Sequence, residues 1–286
     1  MHVIIGHTMG YETVADALRL IHRMGGNALQ ISMGDPSERS LCTIDDKDAR
    51  TTLKIRKKHG FYVVVHGKYL YNFCRKERVT WQINLLCREL QQAEKLQADV
   101  VIHQGKNMAE LNQTKTEAHR VYADNIAQVL TQYTGPSRLL LENSARQGTE
   151  CGYSLMDLVE IYTMIPVELH SRIEFCIDLC HIFVAGELDV RSSAKVSVWF
   201  AKFKKLIGKH PALIHFNDSA IKLNGANDKH GAIGKGYIGD TTLSGDTAGM
   251  KWVARYCALH SIPMILETPC RDIGAEISLV SGWARV

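Results

Sequence analysis

The chain has 286 residues, 45% hydrophobic and 22% charged, which supplies enough apolar material for one large core and excludes a disordered chain. No apolar run approaches the roughly 18 residues of a membrane span, and segment 1–7 carries neither a basic leader nor a cleavable apolar stretch. Eight cysteines without an export signal read as reduced thiols, and a net charge of +4 permits a phosphate-bearing partner without requiring one. An intracellular globular protein is expected.

In chain order, short apolar blocks at 3–6, 28–32, 62–66, 100–103, 139–142, 175–178, 213–215 and 264–267 predict buried parallel strands. Amphipathic stretches at 11–24, 76–96, 116–133 and 192–207 predict helices between them, with Ser154 and Asp240 as starting caps of others. Eight strands alternating with about eight helices predict an α/β fold, a single (β/α)8 TIM barrel domain over residues 1–286. An open doubly wound sheet fits less well, because Gly6-His7-Thr8-Met9-Gly10 after the first strand lacks the GxGxxG pattern.

From the third strand onward, each block ends in a metal-ligand type: His66, His103, Glu142, Asp178, His215 and Glu267. The first four steps between them span 36–39 residues, close to one strand–helix unit. The last spans 52 and leaves room for an inserted loop at 217–236, which contains Asp228 and His230. His181 follows the sixth strand. The carboxyl ends of barrel strands converge on one rim, so all nine side chains are expected at the same mouth. Imidazole and carboxylate without thiolate suit zinc, manganese or iron. Nine ligands are too many for one ion, and bridging carboxylates would spread them over two or three, an arrangement suited to phosphoryl chemistry. Among the remaining histidines, His22, His119 and His210 read as surface decoration.

Several motifs carry a closer likeness. His66-Gly-Lys-Tyr69-Leu70-Tyr-Asn72, Val-Ile-His103-Gln-Gly105, Leu-Leu-Glu142-Asn143-Ser and Ile-Asp178-Leu-Cys-His181 resemble the endonuclease IV family of apurinic/apyrimidinic endonucleases. So do His215-Phe-Asn217-Asp218-Ser219, Asp228-Lys229-His230 and Ile-Leu-Glu267-Thr268-Pro269, and together they run in family order along the whole chain. The resemblance implies a xylose-isomerase-like barrel holding three Zn(2+) ions, with manganese or iron as substitutes. It implies hydrolysis of the phosphodiester 5′ of abasic sites in double-stranded DNA, within base excision repair, together with removal of 3′-blocking groups. By position, Glu142 would bridge two ions and place the attacking hydroxide, one ion also held by His66 and His103, the other by Asp178, His215 and Glu267. His181, Asp228 and His230 would hold the third. Tyr69, Leu70, Asn72 and Lys229 would contact DNA, Lys222 and Lys235 adding phosphate contacts, and the protein would act as a monomer.

Asn217, Asp218 and Ser219 are expected either to orient His215 or to form a polar turn, and Cys176 and Cys180 to pack behind the rim as buried thiols. Acidic Asp35 and Glu38 lie on the loop after strand two, where DNA would pass, and Arg146 stands where relatives carry glycine. The alternative is a metal-dependent sugar isomerase or epimerase of the same barrel class, which requires only one or two ions.

Overall fold

The computed structural model describes residues 3–285, so Met1 and His2 of the amino-terminal segment lie outside the described residues. The barrel strands are β1 (Ile5–Thr8), β2 (Ala28–Ser32), β3 (Tyr62–His66), β4 (Asp99–Ile102), β5 (Leu139–Glu142), β6 (Ile173–Asp178) and β7 (Leu213–His215). A short antiparallel hairpin, β8 (Asp218–Ser219) with β9 (His230–Gly231), precedes the last barrel strand, β10 (Met264–Leu266). All barrel pairings are parallel, and β1 pairs with both β2 and β10, which closes the ring.

Helices α1 (Val14–Arg23), α2 (Asp46–His59), α3 (Thr80–Lys95), α4 (Lys115–Gln132) and α5 (Leu155–Met164) cover the first half of the ring. α6 (Leu179–Val184), α7 (Ser193–Ile207), α8 (Ala248–His260) and α9 (Ile273–Ala284) cover the rest. The closed barrel agrees with the sequence, and its local departures have physical reasons. The first strand lies two residues later than expected, because its ladder to β2 runs through Gly6, His7 and Thr8. α2, not among the helices named from the sequence, is largely polar and buries only Ala49 and Thr52; Asp45 starts it by accepting from two backbone N–H groups. Ser154 caps α5 as predicted, but Asp240 caps only a three-residue 3-10 turn, and α8 begins at Ala248. His119 is fully buried rather than decorative, because it shares the inner face of α4 with Ala118, Tyr122 and Ile126; its Nδ1 lies 2.8 Å from Glu160.

Most of the core lies between sheet and helices; there Leu18 and Ile21 of α1 are fully buried, each contributing about 1.5–3 kcal/mol. A second cluster fills the barrel: Ala28, Val64, Val101, Leu140, Cys176, Leu213 and Ile265, one residue from each of seven strands. β1 supplies Gly6 opposite Ala28, where an added Cβ would come within 1.6 Å of the Ala28 carbonyl oxygen. Side chains repeat every second residue along a strand. Two residues beyond each plug position therefore stand Thr8, Gln30, His66, His103, Glu142, Asp178, His215 and Glu267, which form the next layer toward the carboxyl rim.

Candidate metal centre

Glu142 lies at the middle of this layer and is buried. Its Oε2 is 3.4 Å from His66 Nε2 and 3.3 Å from His103 Nε2, and its Oε1 is 2.8 Å from His215 Nδ1. His215 Nδ1 also lies 3.2 Å from Glu267 and 3.9 Å from Asp178. Four of these residues end their strands, as read from the sequence, whereas His103 and Glu267 stand one residue past β4 and β10.

The outer part of the cluster comes from α6 and the hairpin. Asp178 caps α6 through Oδ1, which accepts the His181 backbone N–H at 2.8 Å, and Oδ2 faces His230 Nε2 at 3.5 Å. One carboxylate thus starts a helix with one oxygen and serves the cluster with the other. Asp228 lies 3.1 Å from His181 Nε2 and 3.4 Å from His230 Nε2, so all nine predicted side chains meet in one connected group.

The imidazoles are held by their far nitrogens. His66, His181 and His230 place Nδ1 2.9, 2.9 and 3.1 Å from the carbonyls of Gly67, Asn143 and Glu267. Each Nδ1 proton is then donated to the backbone, and Nε2 is turned inward as an electron-pair donor. His215 is reversed, with Nε2 2.8 Å from Gln30 Oε1 and Nδ1 facing the carboxylates.

Electrostatics point the same way. Burial disfavours charged His181 and His215, yet both imidazoles are held well above their ordinary value, by Asp178 and Asp228 for His181 and by Cys176, Glu267 and Glu142 for His215. Burial also disfavours ionised Glu142, but His215 and His103 hold it well below the usual carboxylate range. Protons on these imidazoles would be displaced by divalent cations. Two inward-facing buried atoms, Glu142 Oε2 and His181 Nε2, face only other members of the cluster, at 3.1–3.4 Å, and have no partner outside it. The donor set fits divalent ions of the zinc, manganese or iron kind.

Asn217 takes a role different from the one expected, whereas Asp218 and Ser219 build a polar turn. Asn217 braces Asp178 and Glu267 rather than His215: its Nδ2 donates to Asp178 Oδ2 at 2.7 Å and its Oδ1 accepts the Glu267 N–H at 2.8 Å. Asp218 organises the inserted loop, accepting five backbone N–H groups from Ser219, Gly234, Gly236, Ile238 and Gly239. Ser219 turns its hydroxyl to the Ile221 carbonyl. Gln30 was missed, although a glutamine inside the apolar run Ala28–Ser32 was the available signal. Cys176 and Cys180 are buried thiols pushed up to about 12 by burial, though both sulfurs come within ligand distance of the cluster.

Outside the metal layer, Tyr69 is 58% exposed, its ring 5.3 Å from that of His66 and 5.6 Å from that of His103. It opens a groove of about 540 Å³ whose lining includes Leu70, Asn72, Arg39, Arg75, Arg78 and Lys106. The arginines escaped sequence reading, although three basic residues between 75 and 78 marked the place. Arg39 stacks over Trp81 at 4.0 Å. The Asn72 amide ties Lys106 and Cys74 to the third rim loop. Buried Lys68 latches the loop after β2 by donating to the Met33 and Asp35 carbonyls, while the Asp35 side chain accepts from Ser37. Glu38 accepts from Ser40, and Arg146 reaches Asn224 at 2.6 Å. Lys222, Lys229 and Lys235 are exposed on the inserted loop.

Residues 18–245 match the family described as xylose isomerase-like TIM barrel. The chain is 32% identical over 262 residues to a putative endonuclease 4 of Acanthamoeba polyphaga mimivirus, covering 88% of this chain and 81% of that protein. It is 30% identical to a probable endonuclease 4 of Symbiobacterium thermophilum, over 92% of each chain. Among solved structures, endonuclease IV of Thermus thermophilus superposes with a TM-score of 0.79 at 23% identity, covering 98% of both chains.

Proposed function

Because the chain belongs to the endonuclease IV family of xylose isomerase-like barrels, we propose that it is a zinc-dependent DNA repair enzyme that hydrolyses the phosphodiester 5′ of abasic sites and removes 3′-blocking groups. The observation that carries this reading is the convergence of nine imidazole and carboxylate side chains on one rim, with the buried Glu142 Oε2 and His181 Nε2 turned only toward other members of the group.

In this reading His66, His103 and Glu142 hold one ion, Glu142, Asp178, His215 and Glu267 a second, and His181, Asp228 and His230 a third. Bound ions of this kind supply Lewis-acid activation of the phosphodiester and of the attacking water. The protein's own work is positional. Carbonyls behind His66, His181 and His230, and Gln30 behind His215, fix the tautomers. Asn217 aligns two carboxylates at once. Tyr69 and Leu70 support an extruded abasic nucleotide, which costs less to flip because it has no base to unstack. Lys229, with the basic groove beside Asn72, draws in the phosphate backbone. The protein acts as a single-domain monomer inside the cell, with its rim open to duplex DNA.

Metal analysis of purified protein tests this directly. About three zinc ions per chain are expected, whereas one or two would favour the sugar isomerase alternative. An abasic duplex should be nicked on its 5′ side to leave a 3′-hydroxyl, and prolonged chelation should abolish the cut. A 3′-unsaturated aldehyde would mean lyase chemistry and overturn the assignment. Glu142→Gln should lower incision at least about a hundredfold while leaving the circular dichroism unchanged.

A further inference from the structure

Behind the wall of the basic groove lies a second group of reactive side chains that the hydrolysis does not use. Cys74, on the loop after β3, and Cys151, before α5, are both buried, lie against the adjacent Gln104 and Gly105 carbonyls, and each thiol shifts the ionisation of the other. His119 of α4 is near enough to shift the Cys151 thiol; its Nδ1 lies 2.8 Å from Glu160, while its buried Nε2 makes no hydrogen bond. The pair is asymmetric: Cys74 and His119 hold the Cys151 thiol below its ordinary value, while the same contact and burial push Cys74 up.

Each thiol is also wired to the rim. The Cys74 backbone N–H donates to Asn72, and its sulfur lies 3.6 Å from the Gln104 carbonyl, next to His103. The Cys151 N–H donates to the Gly105 carbonyl at 3.0 Å. Gln104 in turn donates to the Glu142 carbonyl at 3.0 Å.

We propose that Cys74 and Cys151 form a reversible, oxidant-sensitive disulfide site that acts on the neighbouring catalytic rim. With hydrogen peroxide as the oxidant, Cys151 sulfur attacks one peroxide oxygen; an S–O bond forms, the O–O bond breaks, and hydroxide leaves to become water. Cys74 sulfur then attacks Cys151; the S–S bond forms, the S–O bond breaks, and a second water leaves with the remaining proton. Two thiols lose two electrons and one peroxide gains them. The two sulfurs of the bridge must close to about 2.05 Å, so its formation draws the loop bearing Asn72 toward the segment that follows Glu142. His103, carried by the connecting segment, is displaced with it.

The effect on incision rests on the nuclease reading, whereas formation of the bridge does not. Metal-loaded protein is treated with hydrogen peroxide, denatured, alkylated and mapped as non-reduced peptides. A linked peptide pair containing Cys74 and Cys151, lighter by two hydrogens and released by dithiothreitol, is expected. Incision of abasic duplex should fall several-fold and return with dithiothreitol. Cys151→Ser should keep its reduced-state incision and lose the response to peroxide; Cys74→Ser should be oxidised at Cys151 without recovery. Oxidation confined to exposed Cys42 and half-buried Cys270 would overturn the proposal, as would a Cys151→Ser protein inhibited as strongly as the parent. If the reduced parent fails to incise at all, the nuclease reading falls and the peptide map still decides the disulfide. If either serine variant fails to fold, the map of the parent chain decides it.

Discussion

Gln30 Oε1 stands 2.8 Å from His215 Nε2, while its amide nitrogen donates to Glu267 at 2.6 Å and to Thr8 at 3.0 Å. One uncharged side chain on β2 thereby sets the tautomer of an imidazole on β7 and the angle of a carboxylate beyond β10. Braces of this kind are worth about ten- to a hundredfold in metal affinity. Gln30→Ala is expected to weaken metal binding by that factor, measured by competition with a chelator of known affinity. Unchanged affinity would show that His215 is held adequately by its carboxylate neighbours.

Tyr69 is exposed yet lies edge-on to His66, so its ring can support substrate without holding a metal. Tyr69→Ala is expected to lower incision of abasic duplex much more than hydrolysis of a small unstructured phosphodiester. Equal losses on both substrates would assign Tyr69 to the metal site or the fold.

The raised imidazoles give a pH signature. His66, His181 and His215 are shifted up in the folded cluster, with burial opposing and the neighbouring acids prevailing. Their contribution to stability is complete below the unfolded histidine value of about 6.5 and is lost as pH rises through the raised folded values. Glu142 and Glu267 are shifted down against their burial, so their contribution is lost only as pH falls through the lowered values. Chelated protein should therefore be most stable between about pH 5 and 6.5, and the extra stability conferred by metal should grow above that. Thermal melts of chelated and loaded protein across this range provide the check; parallel curves would contradict the expected competition between protons and metal.

Asp218 gathers five backbone N–H groups of the loop that delivers Asp228 and His230. Asp218→Ala strands these donors and should cost about 3 kcal/mol or more. Calorimetry should show a Tm lowered by several degrees. On the proposed three-ion reading, metal content should fall toward two ions per chain, because the inserted loop would supply two of the three outer ligands.

The barrel and six of the clustered side chains could be read from the sequence because each apolar block from the third onward ended in a ligand type, the first four steps being nearly constant. In β2, however, the block continues past its layer residue, so Ser32 occupied the terminal position and Gln30 went unread. Counting two residues upward from the plug finds Gln30 and Thr8 together with the ligands, but the plug is visible only once strand register is known. The roles of Asn217 and Asp218 depend on a loop path without periodicity, and His119 looked exposed because the inner face of α4 also carries polar residues.

Closure of the ring has a further consequence for biosynthesis. Ile5 pairs with Met264, and Glu267 follows immediately after β10. A nascent chain paused before this point has its first strand unpartnered along one edge and lacks one of the four carboxylates of the cluster. Completion of the fold and completion of the metal centre thus depend on the same late-translated residues. In the proposed function, unfinished chains lack an intact cutting centre.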